Sequence, residues 1–179
     1  MTVAIALLRA VNVGGRSLKM ADLVSLARDL DLAAPRTLLQ SGNLVFETPD
    51  ALDANLERRL EAGAEARFGF PIDFVVRSAA DWRAMIARNP FGAAARDDPS
   101  HLLVMALKTA RADGALEALR AAISGREEVA VAGRDAYLVY PDGIGRSKLT
   151  VQVIERHLKT RGTARNWNTV VKLAAMAGV

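Results

Sequence analysis

The sequence predicts an α+β chain: two ferredoxin-like, β-α-β-β-α-β halves with antiparallel sheets, the second altered at its C-terminal end by helices. Three observations carry that prediction. Short apolar runs alternate with stretches whose apolar residues recur at i, i+3, i+4 and i+7, the period of a helix. The first six elements fit into fewer than eighty residues in the order of a split βαβ unit. A similar order begins again after residue 100. Residues 1–78 form the first half and 79–179 the second.

The elements follow in order. VAIALLR (3–9) has almost no polar face, which suits a strand covered on both sides. Met20, Leu23, Val24, Ala27 and Leu30 make a helix stripe, with Ser17 as the expected N-cap. Arg36–Ser41 and Leu44–Glu47 read as strands joined by the two-residue hairpin signal Gly42-Asn43. Thr48-Pro49-Asp50 opens a helix lined by Leu52, Leu56 and Leu60 and stopped by Gly69 and Pro71. Ile72–Arg77 is the fourth strand. Ser78 to Asp81 resembles a capping pattern for a helix that buries Trp82, Met85 and Ile86. Phe91–Ser100 reads as a linker.

The second half opens with a strand at His101–Lys108 and a helix at Asp113–Ser124. A hairpin follows, Glu127–Ala132 with Asp135–Tyr140 around Gly133-Arg134. A helix from Lys148 to Leu158 comes next, and a last one from about Asn166, its expected cap, to Ala177. A helix thus stands where a fourth strand would close the second copy.

Composition narrows the function classes. Of 179 residues, 51% are hydrophobic, enough for a real core and too many for a disordered chain. There is no cysteine, which excludes disulfides, thiolate metal sites and a cysteine nucleophile. No apolar run reaches membrane-spanning length, and the start Met1-Thr2-Val3-Ala4 has no basic n-region, so a cytoplasmic location and no membrane partner are expected. Net charge is +4, but seven basic residues against one acid, Glu155, lie within 144–179. That excess suits an anionic partner, although a solvated helix face explains much of it.

Candidate site residues come from topology. In a split βαβ sheet strands one and two run the same way, so the loops at their C-terminal ends share one edge. The first loop carries Asn12, Gly14, Gly15, Arg16 and Ser17, with Arg9 pointing there and Lys19 just beyond; the second carries Gln40, Ser41, Gly42 and Asn43. Successive glycine amides, a helix start and two cations suit an anion. A second strand-to-helix stretch, Gly143 to Leu149, repeats the elements Gly-Arg-Ser with Lys148, which makes Ser147 and Lys148 candidates too. Near the last helix, Arg165 and Asn168 lack an evident local partner, so this segment is expected to fold back toward the first corner. Trp167 reads as packed.

Other chemistries fit less well. GxGxxG and GxxxxGK[ST] are absent, so no cofactor is expected. The two histidines, His101 and His157, sit on different elements without HExxH, and Asp97, Asp98 and His101 read as a solvated loop, so no metal is expected. No GxSxG marks a nucleophile, and catalytic residues stay unassigned. Base stacking on the sheet needs exposed aromatics, but VAIALLR has none and LVF offers only Phe46.

LRAVNVGG…LKM, TLLQSGNLVF and SKL…TARNWNTVVKL together resemble the bacterial family of unknown function DUF1697. The resemblance implies a cytoplasmic α+β protein on ferredoxin-like halves and no assigned activity. Its motif falls on Arg9, Asn12, Gly14, Gly15, Lys19, Gln40, Ser41, Gly42, Asn43, Lys148, Arg165, Asn166, Trp167 and Asn168. Ala10 stands where the family usually has glycine, and Leu38 where it often has tyrosine.

Three functions are therefore expected in order: binding of a phosphate-bearing small molecule or nucleotide at the glycine loop and QSGN hairpin; nucleic-acid binding through the basic C-terminal segment; an unassigned enzyme acting on a small molecule.

Overall fold

A computed structural model describes every residue except Val13 and Arg16. It divides into two units, Met1–Ala84 with Leu173–Val179, and Met85–Lys172. The first unit contains β1 (Thr2–Leu8), α1 (Met20–Asp29), β2 (Ala33–Thr37), β3 (Asn43–Thr48), α2 (Ala54–Phe68) and β4 (Phe74–Ser78), after which α3 (Ala79–Ala87) begins. Its sheet has the order β2-β3-β1-β4, all antiparallel.

The second unit contains α4 (Gly92–Asp97), β5 (Leu102–Leu107), α5 (Ala115–Ala122), β6 (Glu128–Ala132), β7 (Asp135–Val139), α6 (Val151–Leu158), β8 (Gly162–Asn166) and the start of α7 (Trp167–Ala177). Its sheet order, β6-β7-β5-β8, repeats that of the first and is again antiparallel throughout. The two ferredoxin-like halves expected from the sequence are therefore present. No described helix is long and apolar enough to cross a membrane.

Strand alternation builds the first core. Ala4, Ala6 and Leu8 of β1, Leu44 and Phe46 of β3, and Phe74 and Val76 of β4 pack with Leu23 and Leu26 of α1 and Leu56 and Leu60 of α2. The alternate residues Ile5, Leu7, Val45 and Val75 are each 1% exposed or less, so β1 is covered on both faces, as its apolar run requires. In the second unit Met105, Leu107 and Leu138 pack with Leu116, Leu119, Ile154 and Leu158. Each large aliphatic residue so buried contributes roughly 1.5–3 kcal/mol.

Several sequence expectations are corrected. The second half does have its fourth strand: residues 162–166 pair with β5, from Leu107↔Gly162 to Leu103↔Asn166, and α7 follows it. Gly162 allows that close pairing, since a Cβ there would lie 2.7 Å from the Ala106 carbonyl oxygen. The strand β2 ends at Thr37, so residues 38–42 form a five-residue connection rather than a Gly42-Asn43 hairpin, and Asn43 is the first residue of β3. The stretch 91–100 holds α4 rather than only a linker.

Three helix starts also move. Lys19, not Ser17, occupies the N-cap of α1, and its side chain makes no cap bond. Asp53 caps α2 by accepting from the amides of Asn55 and Leu56. Thr150 caps α6, which starts at Val151 rather than at Lys148. Elsewhere the expected caps form: Ser78 Oγ accepts from the Asp81 amide at 2.9 Å, and Asn166 Oδ1 accepts from the Thr169 amide at 3.0 Å.

Candidate functional site

Backbone pairing sets the corner at the end of β1. The Leu8 amide donates to the Gly42 carbonyl at 2.9 Å, and the Arg9 amide to the Asp73 carbonyl at 3.0 Å. The loop after β1, the β2–β3 connection and the lead into β4 therefore meet at one end of the first sheet, as its topology requires.

Asn12 joins the first two of these. Its Oδ1 accepts from the Leu18 amide at 2.7 Å, and its Nδ2 donates to the carbonyls of Leu18 at 3.1 Å and Gln40 at 2.6 Å. One amide side chain thus closes its own loop and clips it to the QSGN turn. Asn43 ties the second loop from inside. It is fully buried, its Nδ2 donates to the Leu38 carbonyl at 2.6 Å and to Ser41 Oγ at 3.1 Å, and its carbonyl accepts from the Leu38 amide at 3.1 Å.

The backbone here is unusually left-handed. Ala10 and Asn12 lie at φ +56°, Gly14 at +59°, Gly15 at +84°, Leu39 at +59° and Gly42 at +78°. Gly42 is needed twice over, because a Cβ there would lie 2.7 Å from both Leu8 Cβ and Val11 Cγ2. Gly14 and Gly15 differ: both are exposed, and a Cβ at either would meet no described atom within 4 Å. Val11 and Leu18, 5% and 2% exposed, anchor the loop into the core.

The remaining first-half candidates surround this frame. Ser17, Lys19, Gln40 and Ser41 are exposed. Arg9 is half-buried, with Nη1 3.8 Å from Asp73 Oδ2, so a carboxylate already offsets part of its charge. Arg16, the other cation expected here, lies outside the described residues. The corner can offer exposed loop amides, an ammonium and hydroxyls.

The second-half candidates have their own surroundings. Ser147 Oγ donates to Glu127 Oε1 and accepts from the Leu149 amide at 2.9 Å. With the exposed Lys148 it lines a groove of about 250 Å³ that also holds Tyr140, Asp142 and Arg146. Asp142 is paired with Arg126, which holds its carboxyl below the ordinary carboxylate range. That groove is mixed in charge. Arg165 is 8% exposed on β8, donating from Nη1 to Thr163 Oγ1 at 2.8 Å and the Ala164 carbonyl at 2.9 Å, and burial pushes its pKa down to about 10. Asn168 is exposed on the first turn of α7, and Trp167 is half-buried.

Two further groups are accounted for locally. Asp98 Oδ2 lies 2.6 Å from His101 Nδ1, and that bond is the main reason its carboxyl sits low. Phe46 is fully buried in the core, so it offers no surface for base stacking.

Reading the sequence did not single out Lys108, Arg134 and Arg161. The structure brings them together at the matching end of the second sheet, where the Leu107 amide donates to the Arg134 carbonyl and the Lys108 amide to the Arg161 carbonyl, each at 2.8 Å. Laying the halves on one another strand by strand would have found them.

The fold resembles that of the conserved bacterial protein SP0830 from Streptococcus pneumoniae, with a TM-score of 0.75 and 21% identity over 98% of each chain. No curated protein matches the sequence. A family model described as protein of unknown function (DUF1697) matches residues 1–137, and the chain belongs to that family.

Proposed function

We propose that this chain binds a small, phosphate-bearing anion at the Gly14-Gly15 loop and the β2–β3 connection, as a cytoplasmic protein. The observation that carries this reading is the Asn12 clip, with Nδ2 on the Gln40 carbonyl at 2.6 Å and Oδ1 on the Leu18 amide at 2.7 Å. It holds two turns, distant in sequence, side by side while Gly14 and Gly15 stay exposed. A turn with left-handed residues at Gly14 and Gly15 suits an anion-binding backbone concavity, and Lys19 adds a cation at the N-cap of α1.

The test is a calorimetric titration of the full chain with phosphate, pyrophosphate and nucleotides, followed by amide NMR. Lys19→Ala is expected to weaken binding about tenfold, the worth of one charged hydrogen bond. Asn12→Ala is expected to weaken it further, because the loops lose their clip. Absence of binding, or shifts that spare residues 12–19 and 40–43, would overturn the reading.

A further inference from the structure

Each sheet has two outer strands, and three of the four edges are closed. Carboxylates of α2 accept from the Phe74 and Val76 amides of β4, and Glu155 accepts from the Gly162 amide of β8. In β2, Pro35 has no amide to offer, Ala34 turns to φ +46°, and the pairing with β3 shifts between Ala33 and Arg36. Proline and a local irregularity both protect an edge from further pairing. The fourth edge, β6, has neither device: Glu128 to Ala132 pair with β7 residue by residue, without a shift.

The ladder shows which groups of β6 face outward. The Leu107 amide donates to the Arg134 carbonyl and the Tyr140 amide to the His101 carbonyl, so the even-numbered residues of β7 bond to β5. Its odd-numbered residues, Asp135, Tyr137 and Val139, then bond to Ala132, Ala130 and Glu128. The N–H and C=O groups of Val129 and Val131 consequently point away from the sheet. Arg120 agrees, since its guanidinium reaches the Val129 carbonyl from outside, with Nη2 at 3.1 Å and Nε at 3.3 Å. Among the described residues the Val129 amide and both backbone groups of Val131 have no partner.

A groove of about 510 Å³ adjoins this edge. Pro90, Phe91, Ile123, Val129 and Ala130 give it apolar walls. Its charged lining is one cation, Arg120, against two carboxylates, Glu127 and Glu128. Glu127 accepts from Ser147 Oγ, whereas Glu128 is exposed and has no hydrogen-bond or ion-pair partner among the described residues.

We infer that β6 and this groove dock an extended peptide, which adds a strand to the second sheet, places a bulky apolar side chain in the groove and sets a basic residue beside Glu128. Main-chain bonds to Val129 and Val131 supply the pairing, and the groove with its acidic rim supplies the preference. A second copy of this chain fits less well. Two β6 strands paired antiparallel about Ala130 would bring Ala130, Val131, Ala132 and Gly133 opposite the groove, side chains too small to fill it.

The test is an array of acetylated, amidated octapeptides in which Leu, Ile, Val or Phe alternates with Thr. Half of the set carries flanking Lys or Arg, the other half flanking Asp or Glu. The full chain should bind the basic half, and free peptide from that half should shift the amides of residues 120–131 and slow exchange at Val131. Val131→Pro removes an N–H that β7 does not use and should abolish binding. Glu128→Lys, an exposed change that spares the core, should weaken it several-fold, through a lost attraction and an added repulsion. Glu65→Lys makes the same charge change on the exposed face of α2 and should have no effect. No binding in either half, equal binding of the acidic half, shifts that spare residues 120–131, or equal weakening by Glu65→Lys would overturn the proposal. So would sedimentation of the chain alone as a dimer that Val131→Pro dissociates, which would identify the occupant as a second copy.

Discussion

Ala10 carries a side chain at φ +56°, in the left-handed region that glycine adopts without penalty. An L-residue there costs about 1–2 kcal/mol. Replacing it by glycine removes that strain but adds back roughly 0.4–1 kcal/mol of unfolded-chain entropy. Ala10→Gly is therefore expected to leave stability unchanged or raise it slightly, whereas the same change at an ordinary loop position lowers it. Urea midpoints decide the sign, and a clear loss would show that the strain is absent. Gly42 and Gly14 make the opposite comparison. Gly42→Ala adds a Cβ 2.7 Å from two core carbons at φ +78°, and about 3 kcal/mol or more should be lost. Gly14→Ala meets only the conformational cost, about 1 kcal/mol. Equal losses at the two positions would mean that the turn does not press on Leu8 and Val11.

Edge strands show what an element needs beyond its own residues. As the outer strand of the first sheet, β4 has one row of backbone amides without a strand partner. Helix α2 supplies the acceptors: Glu57 Oε1 takes the Val76 amide at 2.9 Å and Glu61 Oε1 the Phe74 amide at 3.1 Å. Glu155 does the same for Gly162 on β8. Such cover hides an edge that would otherwise pair with another chain. Glu57→Leu should cost about 1–3 kcal/mol by leaving the Val76 amide buried and unbonded, while Glu57→Gln, which keeps an acceptor, should cost much less. Faster amide exchange at Val76 in the leucine variant alone would confirm the cause; similar exchange in both would refute it. None of this was legible in the sequence, where these glutamates look like surface residues of a helix. What was legible rested on period and run length. VAIALLR announced β1, and Leu56 with Leu60 announced α2. Residues 162–166 did not, because Gly-Thr-Ala-Arg-Asn has no apolar run and becomes a strand through its pairing with β5. The corner was legible through topology, which placed Asn12 near Gln40; that the Asn12 side chain itself makes the joint required coordinates.

The halves differ most in what they bury, and alkaline pH should separate them. Both tyrosines of the chain, Tyr137 and Tyr140, lie in the second unit, 0% and 3% exposed. Burial first, then the negative charge of Asp135 near one and Glu127 near the other, raises each phenol to about 12. Their hydroxyls donate to the carbonyls of Met85 at 2.7 Å and Leu149 at 3.0 Å, bonds that a phenolate cannot make. The folded state thus keeps two protons that the unfolded chain gives up near pH 10, and the stability they contribute is complete below about 10 and lost as pH rises through about 12. Arg165 works the other way. Its pKa is lowered to about 10, so its buried charge is a cost at neutral pH that fades above that value. Two groups against one leave a net loss of stability across the window from about 10 to 12. Phenolate absorbance, which reports only on the second unit, is expected to rise near 12 or together with unfolding, and not at 10. Tyr140→Phe should halve that signal and flatten the fall in stability, because one of the two retained protons is gone. A single phenolate transition near 10 in the folded protein would show that these rings are open to water, and the packing of the second core would then need revision.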